Sequence, residues 1–334
     1  MIKETGSVRI DLLGGTLDLE PINLILPHAL TLNAATSLKA EVTIEETDKD
    51  LEIISVDYDS HITYKSTDFN DVNFSGDFFG PLRFVAKICD FLQLTDKLKI
   101  TLTSGSPAGA GLGGSSTMGV TLYKALLRVK KQKQEACDII AIVKRIEAEE
   151  LKCGPTGYQD YYPALYGGIL ALRPTFAGVE VTQLFDEEIA LQMNKRMSLV
   201  FSGQTRLSGI NNWEVYKGFF DDQGKTKRGL GHIANLSHQA YKCLQNKEMD
   251  LFFELIKQEG EARAALFPGI MTKEIENLLH DIRKIDKNAG LKMCGAGGGG
   301  CFLVIHESEA DISKALQEHK MSKLDFSICK PCLL

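Results

Sequence analysis

Proline is scarce in this chain, 9 in 334 residues, and no long low-complexity tract interrupts it. A disordered or linker-like protein is therefore excluded, and the length suits two domains of ordinary size or one large α/β unit. No apolar run approaches the roughly 18 residues that a membrane-spanning helix needs. Positive charge is not in excess either: 38 Lys and Arg against 44 Asp and Glu leave a net charge of −6. That balance argues against nucleic acid or an anionic membrane as the main partner, while leaving room for a local basic pocket. The opening residues Met1-Ile-Lys-Glu-Thr-Gly carry an early acid and no apolar core, unlike a secretory leader. The 7 histidines show no paired spacing for a metal cage. The 8 cysteines are scattered, several within apolar runs, as expected of reduced buried thiols in a cytosolic setting. Cys329-x-x-Cys332 has neither a thioredoxin-like context nor a second ligand pair, so a structural role is expected.

Glycine, by contrast, is abundant and clustered. Residues 104–117, Ser-Gly-Ser-Pro-Ala-Gly-Ala-Gly-Leu-Gly-Gly-Ser-Ser-Thr, lie between a strand-like run at Leu98–Leu102 and a helical pattern (Met118, Leu122, Ala125, Leu126, Val129). Such a loop bares backbone N–H groups, and the helix behind it adds first-turn donors and a positive dipole end. Together they form a phosphate site. Gly109-Ala-Gly111-Leu-Gly-Gly114 formally matches a dinucleotide fingerprint, with Glu135 about twenty residues on. It begins a hundred residues in, however, after an antiparallel-looking region and without regular β-α-β alternation. No Lys-Ser/Thr follows the loop, so it is not a Walker A sequence, and no His-Arg-Asp or Asp-Phe-Gly set marks a protein kinase.

Strands are expected at Ser7–Leu13, Ser37–Glu45, Leu51–Val56, 168–172, Val179–Leu184 and Met197–Phe201. Helices are expected over Leu82–Leu92, 134–152, 228–246, 249–264 and 272–289, the last capped by Gly290. A strand entered through Gly295-Ala-Gly-Gly-Gly-Gly300 comes next. Pro174 through Gly178 reads as the weakest point, which divides the chain into residues 1–176 and 177–334. Arg9, at the start of an apolar strand, calls for an anionic partner. Asp18 lies ahead of Pro21, where a carboxylate commonly serves a turn.

Three segments then combine. Pro107-Ala-Gly-Ala-Gly-Leu-Gly-Gly-Ser115-Ser116 resembles the P-x-x-x-G-L-G-x-S-S motif of the GHMP kinases, the galactokinase, homoserine kinase, mevalonate kinase and phosphomevalonate kinase superfamily. Lys292-Met-Cys-Gly-Ala-Gly-Gly-Gly-Gly300 resembles their C-terminal glycine motif. Arg9-Ile-Asp-Leu-Leu-Gly-Gly15-Thr16-Leu-Asp18, followed by Leu26-Pro-His-Ala, resembles the N-terminal motif of the sugar-kinase branch. Order and spacing agree across nearly the whole chain. Gly157-Tyr-Gln159-Asp160-Tyr-Tyr and Gly203-Gln-Thr-Arg206-Leu-Ser208 look most like segments of heptose 7-phosphate kinases. The chain departs from that pattern at Tyr161, where a second Gln is usual, and at Gly15-Thr16-Leu.

The resemblance implies an α+β fold of two domains, an N-terminal α/β nucleotide-binding domain and a C-terminal α+β ferredoxin-like one. It implies ATP and Mg²⁺ as cofactors and a sugar or sugar phosphate as the small-molecule partner, in a cytoplasmic enzyme compatible with a homodimer. Asp160 becomes the expected catalytic base, with Arg9 beside it. Pro107, Gly109, Ala110, Gly111, Leu112, Gly113, Gly114, Ser115 and Ser116 become the ATP loop. Gly15, Thr16, Asp18, Gln159, Arg206, Gly297 and Gly298 become substrate contacts, with Thr205 a weaker one. Ser115 and Glu149 become metal ligands; Glu147 and Glu150 stand close enough on the same helix to exchange with Glu149. Three alternatives stay open: a mevalonate-type kinase for a non-sugar alcohol, a non-catalytic sugar or nucleotide sensor, and a nicotinamide-dependent oxidoreductase.

Overall fold

The computed structural model describes residues 1–151, 156–204, 209–221, 224–307 and 310–332. Two sheets organise it. The first is built from β1 (Ile2–Leu13), β2 (Thr31–Ser55), β3 (Ser60–Tyr64), β4 (Asp96–Thr103), β5 (Ile169–Thr175) and β6 (Gly178–Gln183). The second contains β7 (Met197–Phe201), β8 (Gly290–Met293), β9 (Cys301–Ile305) and β10 (Ser322–Leu324), in the order β10-β7-β9-β8 with every pair antiparallel. In the first half the helices are α1 (Ile22–Ile25), α2 (Asp71–Ser75), α3 (Arg83–Phe91), α4 (Gly114–Val129), α5 (Ala136–Leu151) and α6 (Tyr162–Tyr166). The second half carries α7 (Glu187–Arg196), α8 (Gly209–Asp221), α9 (Lys225–Asn246), α10 (Met249–Ala264), α11 (Lys273–Ile285) and α12 (Ser313–Glu318). The α+β class is as expected. Among the described residues, no helix is long and apolar enough to cross a membrane.

Alternation along β1 gives this strand one apolar face and one charged face. Val8, Ile10 and Leu12 point into a core shared with Phe252 and Ile256 of α10 and Leu303 of β9. The intervening Arg9 and Asp11 face the opposite side and line a cavity. Irregularities in the pairing with β2 fall between Ser7 and Arg9 and between Asp11 and Leu13, so the segment carrying both charges is bracketed by bulges. In β9, Cys301, Leu303 and Ile305 join this same core, while Phe302 and Val304 join another with Ile233, Leu278 and Ile282. A third core packs β2 and β4 against α3, α4 and α5 through Val42, Ile100, Ile88, Leu126 and Val143.

The expected division at Pro174–Gly178 falls within a hairpin: Thr175 pairs with Gly178, and β6 extends the first sheet to Gln183. The helix expected over 272–289 is shorter. Helix α11 stops at Ile285, where Asp286 turns extended, and Gly290 opens β8 instead of capping the helix. The N-cap of α4 is Gly113, whose φ of 74° is left-handed, and Ser115 is the second helical residue.

Candidate active site

Both glycine loops, the Arg9–Asp11 stretch of β1, the turn behind it and the residues around Asp160 surround one cavity of about 360 Å³. Arg9 is its electrostatic centre. Its Nε donates to Asp160 Oδ1 at 2.8 Å and its Nη2 lies 2.5 Å from the same oxygen. Nη1 donates to the carbonyls of Gly111 and Cys294, both at 2.7 Å. Burial lowers the pKa of the guanidinium, but the Asp160 and Asp11 carboxylates more than offset it and leave the pKa raised. The ion pair expected between Arg9 and Asp160 is therefore present, from side chains 151 positions apart.

The glycine loop at 107–116 is held from behind by its carbonyls. Arg9 takes Gly111 O through its side chain and Leu112 O through its backbone N–H, and Cys301 N donates to Ala110 O at 2.7 Å. Gly109, Gly111 and Gly113 all take positive φ, which alternates the peptide planes and turns the loop's other side to the cavity. Gly113 abuts the base candidate: a Cβ there would stand 3.0 Å from that of Asp160. At Gly300 a Cβ would meet Ala110 O at 2.9 Å, so the second glycine motif packs directly on the first. The expected substrate contacts Gly297 and Gly298 are not on the wall. Gly297 packs on Ile270 and Gly298 N donates to Ile270 O, while Gly295 and Ala296 face the cavity.

The carboxylate beside the serines is Glu147, not Glu149. Glu147 is 4% exposed and accepts from Ser116 Oγ at 2.7 Å and from Tyr161 Oη at 2.6 Å. Burial raises its pKa, against the pull of hydrogen bonds from Tyr161, Ser116 and Ser115. Glu149 is turned outward by helical phase and pairs with Lys87 and Arg145, and Glu150 pairs with Lys87 and Arg83. The departure at Tyr161 thus has a use, since its hydroxyl reaches a buried carboxylate. Among the described residues no cluster of three or more His, Cys, Asp or Glu holds a metal by itself. Glu147 and the exposed Ser115 hydroxyl still fit Mg²⁺, which commonly takes one or two protein oxygens together with substrate phosphates.

At the other end of the cavity lies Asp18, 1% exposed. It accepts from the Gln159 backbone at 3.0 Å and from its Nε2 at 3.3 Å. Burial pushes its carboxyl up to about 6. Gly157 leaves the room it needs, for a Cβ there would overlap Asp18 Oδ2. Gly15, Thr16 and Gln159 also line the cavity. Thr205 and Arg206 lie outside the described residues.

Two groups of lining residues were not foreseen. One is a sealed cluster of Asp11, Glu259, Arg263 and Lys292, of which Asp11 and Arg263 reach the wall. The spacing of Glu259 and Arg263 by four in a largely buried helix was the available signal. The other group, Tyr58, Pro81, Leu82, Phe84, Val85 and Leu102, makes a mostly apolar recess beyond the glycine loop at 107–116. It comes from three separate segments, which no local pattern connects.

Residues 82–168 match the family model for the GHMP kinases N terminal domain, and residues 240–321 match that for GHMP kinases C terminal. The chain belongs to the GHMP kinase family. It is 26% identical to a D-glycero-alpha-D-manno-heptose 7-phosphate kinase of Campylobacter jejuni, across 98% of this chain and 97% of that one. It is 24% identical to an Arabidopsis thaliana bifunctional fucokinase/GDP-fucose pyrophosphorylase over 96% of this chain, and spans 32% of that longer protein. Its fold matches the crystal structure of a D-glycero-D-manno-heptose 1-phosphate kinase from Bacteriodes thetaiotaomicron with a TM-score of 0.76 at 21% identity, covering 99% of this chain and 97% of that one.

Proposed function

We propose that this protein transfers the γ-phosphoryl group of ATP to a hydroxyl of a sugar or sugar phosphate. The observation that carries the reading is the contact of Asp160 with both Arg9 and the backbone of Gly113, which puts a carboxylate beside a phosphate-binding loop. Relatives whose names specify sugar acceptors support it.

In this reading the ATP loop cradles the phosphates on its bared N–H groups and the N-terminus of α4. The apolar recess at Leu82, Phe84 and Leu102 takes the base. Asp18 and Gln159 orient the acceptor's hydroxyls, and Asp160 directs one of them in line and receives its proton. Arg9 keeps Asp160 aimed and adds positive charge near the transferring group. Glu147 and Ser115 would hold Mg²⁺, which supplies charge neutralisation of the phosphate oxygens when bound. Gly295 and Ala296 of the second half close the site. Rate enhancement then rests on positioning and preorganised charge.

The test is a panel of acceptors, heptose 7-phosphate, galactose, fucose, glucuronate and mevalonate, assayed for ADP release. A preference for mevalonate would move the protein to the non-sugar branch. With the preferred acceptor, Asp160→Asn is expected to bind ATP normally and lose about 10²–10⁴-fold in kcat. Unchanged turnover would remove Asp160 as the base.

A further inference from the structure

Four charged side chains are sealed around the turn that follows β1. Asp11 is 1% exposed, Arg263 3%, and Glu259 and Lys292 are fully buried. Lys292 Nζ lies 2.8 Å from Asp11 Oδ2 and 3.3 Å from Glu259 Oε2. Arg263 Nη2 lies 2.7 Å from Glu259 Oε1 and 4.0 Å from Asp11 Oδ2. Burial alone would raise the Asp11 pKa, but Lys292, Arg263 and Arg9 hold it below the usual carboxylate range. The formal charges cancel. Buried ion pairs, however, are poor sources of stability, because desolvation consumes most of their attraction.

The geometry supplies another reason for the cluster. Gly14 N donates to Glu259 Oε1 at 3.3 Å. Arg263 Nη2 donates to Gly15 O at 2.6 Å, and Nη1 donates to Thr16 Oγ1 at 3.2 Å. Three consecutive residues of one turn are thus held by a single pair one helical turn apart on α10. The turn needs holding. Thr16 sits at φ 72°, a left-handed backbone that β-branched residues rarely adopt. At Gly15 a Cβ would approach Asp11 Oδ2 to 2.2 Å, so the turn lies flat on the cluster. Asp18 comes two residues after Thr16, and its place in the cavity depends on the turn's shape. Among the described residues, neither Glu259 nor Arg263 makes a hydrogen bond to the ATP loop.

We propose that the Glu259–Arg263 pair is a positioning element for the acceptor turn Gly14–Asp18, setting affinity for the polyhydroxy acceptor without affecting the nucleotide. The role rests on the kinase reading above. It makes the second half of the chain, through α10, a determinant of which acceptor the first half takes.

The double variant Glu259→Gln/Arg263→Gln removes one charge of each sign and leaves Asp11 paired with Lys292. Its acceptor KM is expected to rise about tenfold or more, with kcat within about threefold and the KM for ATP unchanged. Arg263→Lys keeps the charge but loses the two-pronged grip. It should fall between parent and double variant, and it carries the test if the double variant does not fold. Hydrogen exchange should quicken at the amides of residues 14–18 and stay unchanged at 109–116. Acceptor and nucleotide constants moving together, or an acceptor KM equal to the parent's, would overturn the proposal. If the parent phosphorylates no acceptor in the panel, the kinase class stands and its acceptor is still to be found. The exchange pattern then decides the positioning role: faster exchange confined to 14–18 upholds it, and an unchanged pattern refutes it.

Discussion

Asp18 shows how folding and binding make opposite demands on one side chain. Its carboxyl is buried and pushed up to about 6, against 3.8 for an ordinary Asp. Between those two values the folded protein keeps a proton that the unfolded chain releases, so this group makes stability fall as pH rises through that window. Above it, burying the ionised carboxylate costs up to about 3 kcal/mol. Asp18→Asn is therefore expected to raise the melting temperature at pH 8 more than at pH 5. The same variant should lose acceptor affinity, because only the ionised form accepts from two hydroxyls. In the parent, acceptor KM should fall as pH rises through about 6. At Glu147 the test is one of discrimination. Glu147→Gln is expected to raise the Mg²⁺ concentration for half-maximal rate about tenfold, while Glu149→Gln, on the solvent face, behaves as the parent. A Mg²⁺ titration of the two variants side by side checks this.

At the scale of elements, close backbone approaches hold the site's parts in register. Helix α10 meets β8 at Gly260, where a Cβ would stand 1.9 Å from Leu291 O. Gly260→Ala is expected to destabilise by about 2–3 kcal/mol, read as a lower urea midpoint with unchanged slope. Because α10 also carries Glu259 and Arg263, acceptor affinity should weaken in the same variant. Helical phase settles the glutamates of α5: Glu147 lies inward near Val143 and Ile146, and Glu149 lies outward. The motifs put a carboxylate near the serines to within two residues, but a spacing argument has no phase. The left-handed backbone at Gly109, Gly111 and Gly113 is open to glycine by residue type. Gly297 and Gly298 have the same composition yet pack on Ile270, because which face of a glycine loop meets a cavity depends on what lies behind it.

At the scale of the whole molecule, the two halves share a core. Val8, Ile10 and Leu12 of β1 pack with Phe252, Ile256 and Leu303 from the second half. Residues 329–332 return to the first half, where Cys329 N donates to Ala35 O of β2 and Cys332 N to Tyr166 O of α6. A polypeptide ending after β6 would expose the apolar face of β1 and lose these ties. Residues 1–183 expressed alone are expected to give no cooperative thermal transition, whereas the full chain melts in one. Calorimetry of the two proteins makes the comparison. Two independent transitions in the full chain would show that the shared core does not couple the halves.

Local rules of residue type and period located the glycine loop and half of the described helices in the sequence, and the resemblance to the GHMP kinases added the α+β class and pointed to Arg9, Asp18 and Asp160. Glycine's backbone freedom and the alternation of a half-buried strand act over a few residues, so they can be read along a chain. Tertiary structure decided the rest. It turned Glu147 and not Glu149 toward the serines, folded Pro174–Gly178 into a hairpin, and assembled the apolar recess from three segments. It also brought Asp11, Glu259, Arg263 and Lys292, up to 281 positions apart, into hydrogen-bonding range. Electrostatic partnership in a buried site depends on distance in space, and sequence order carries no record of it.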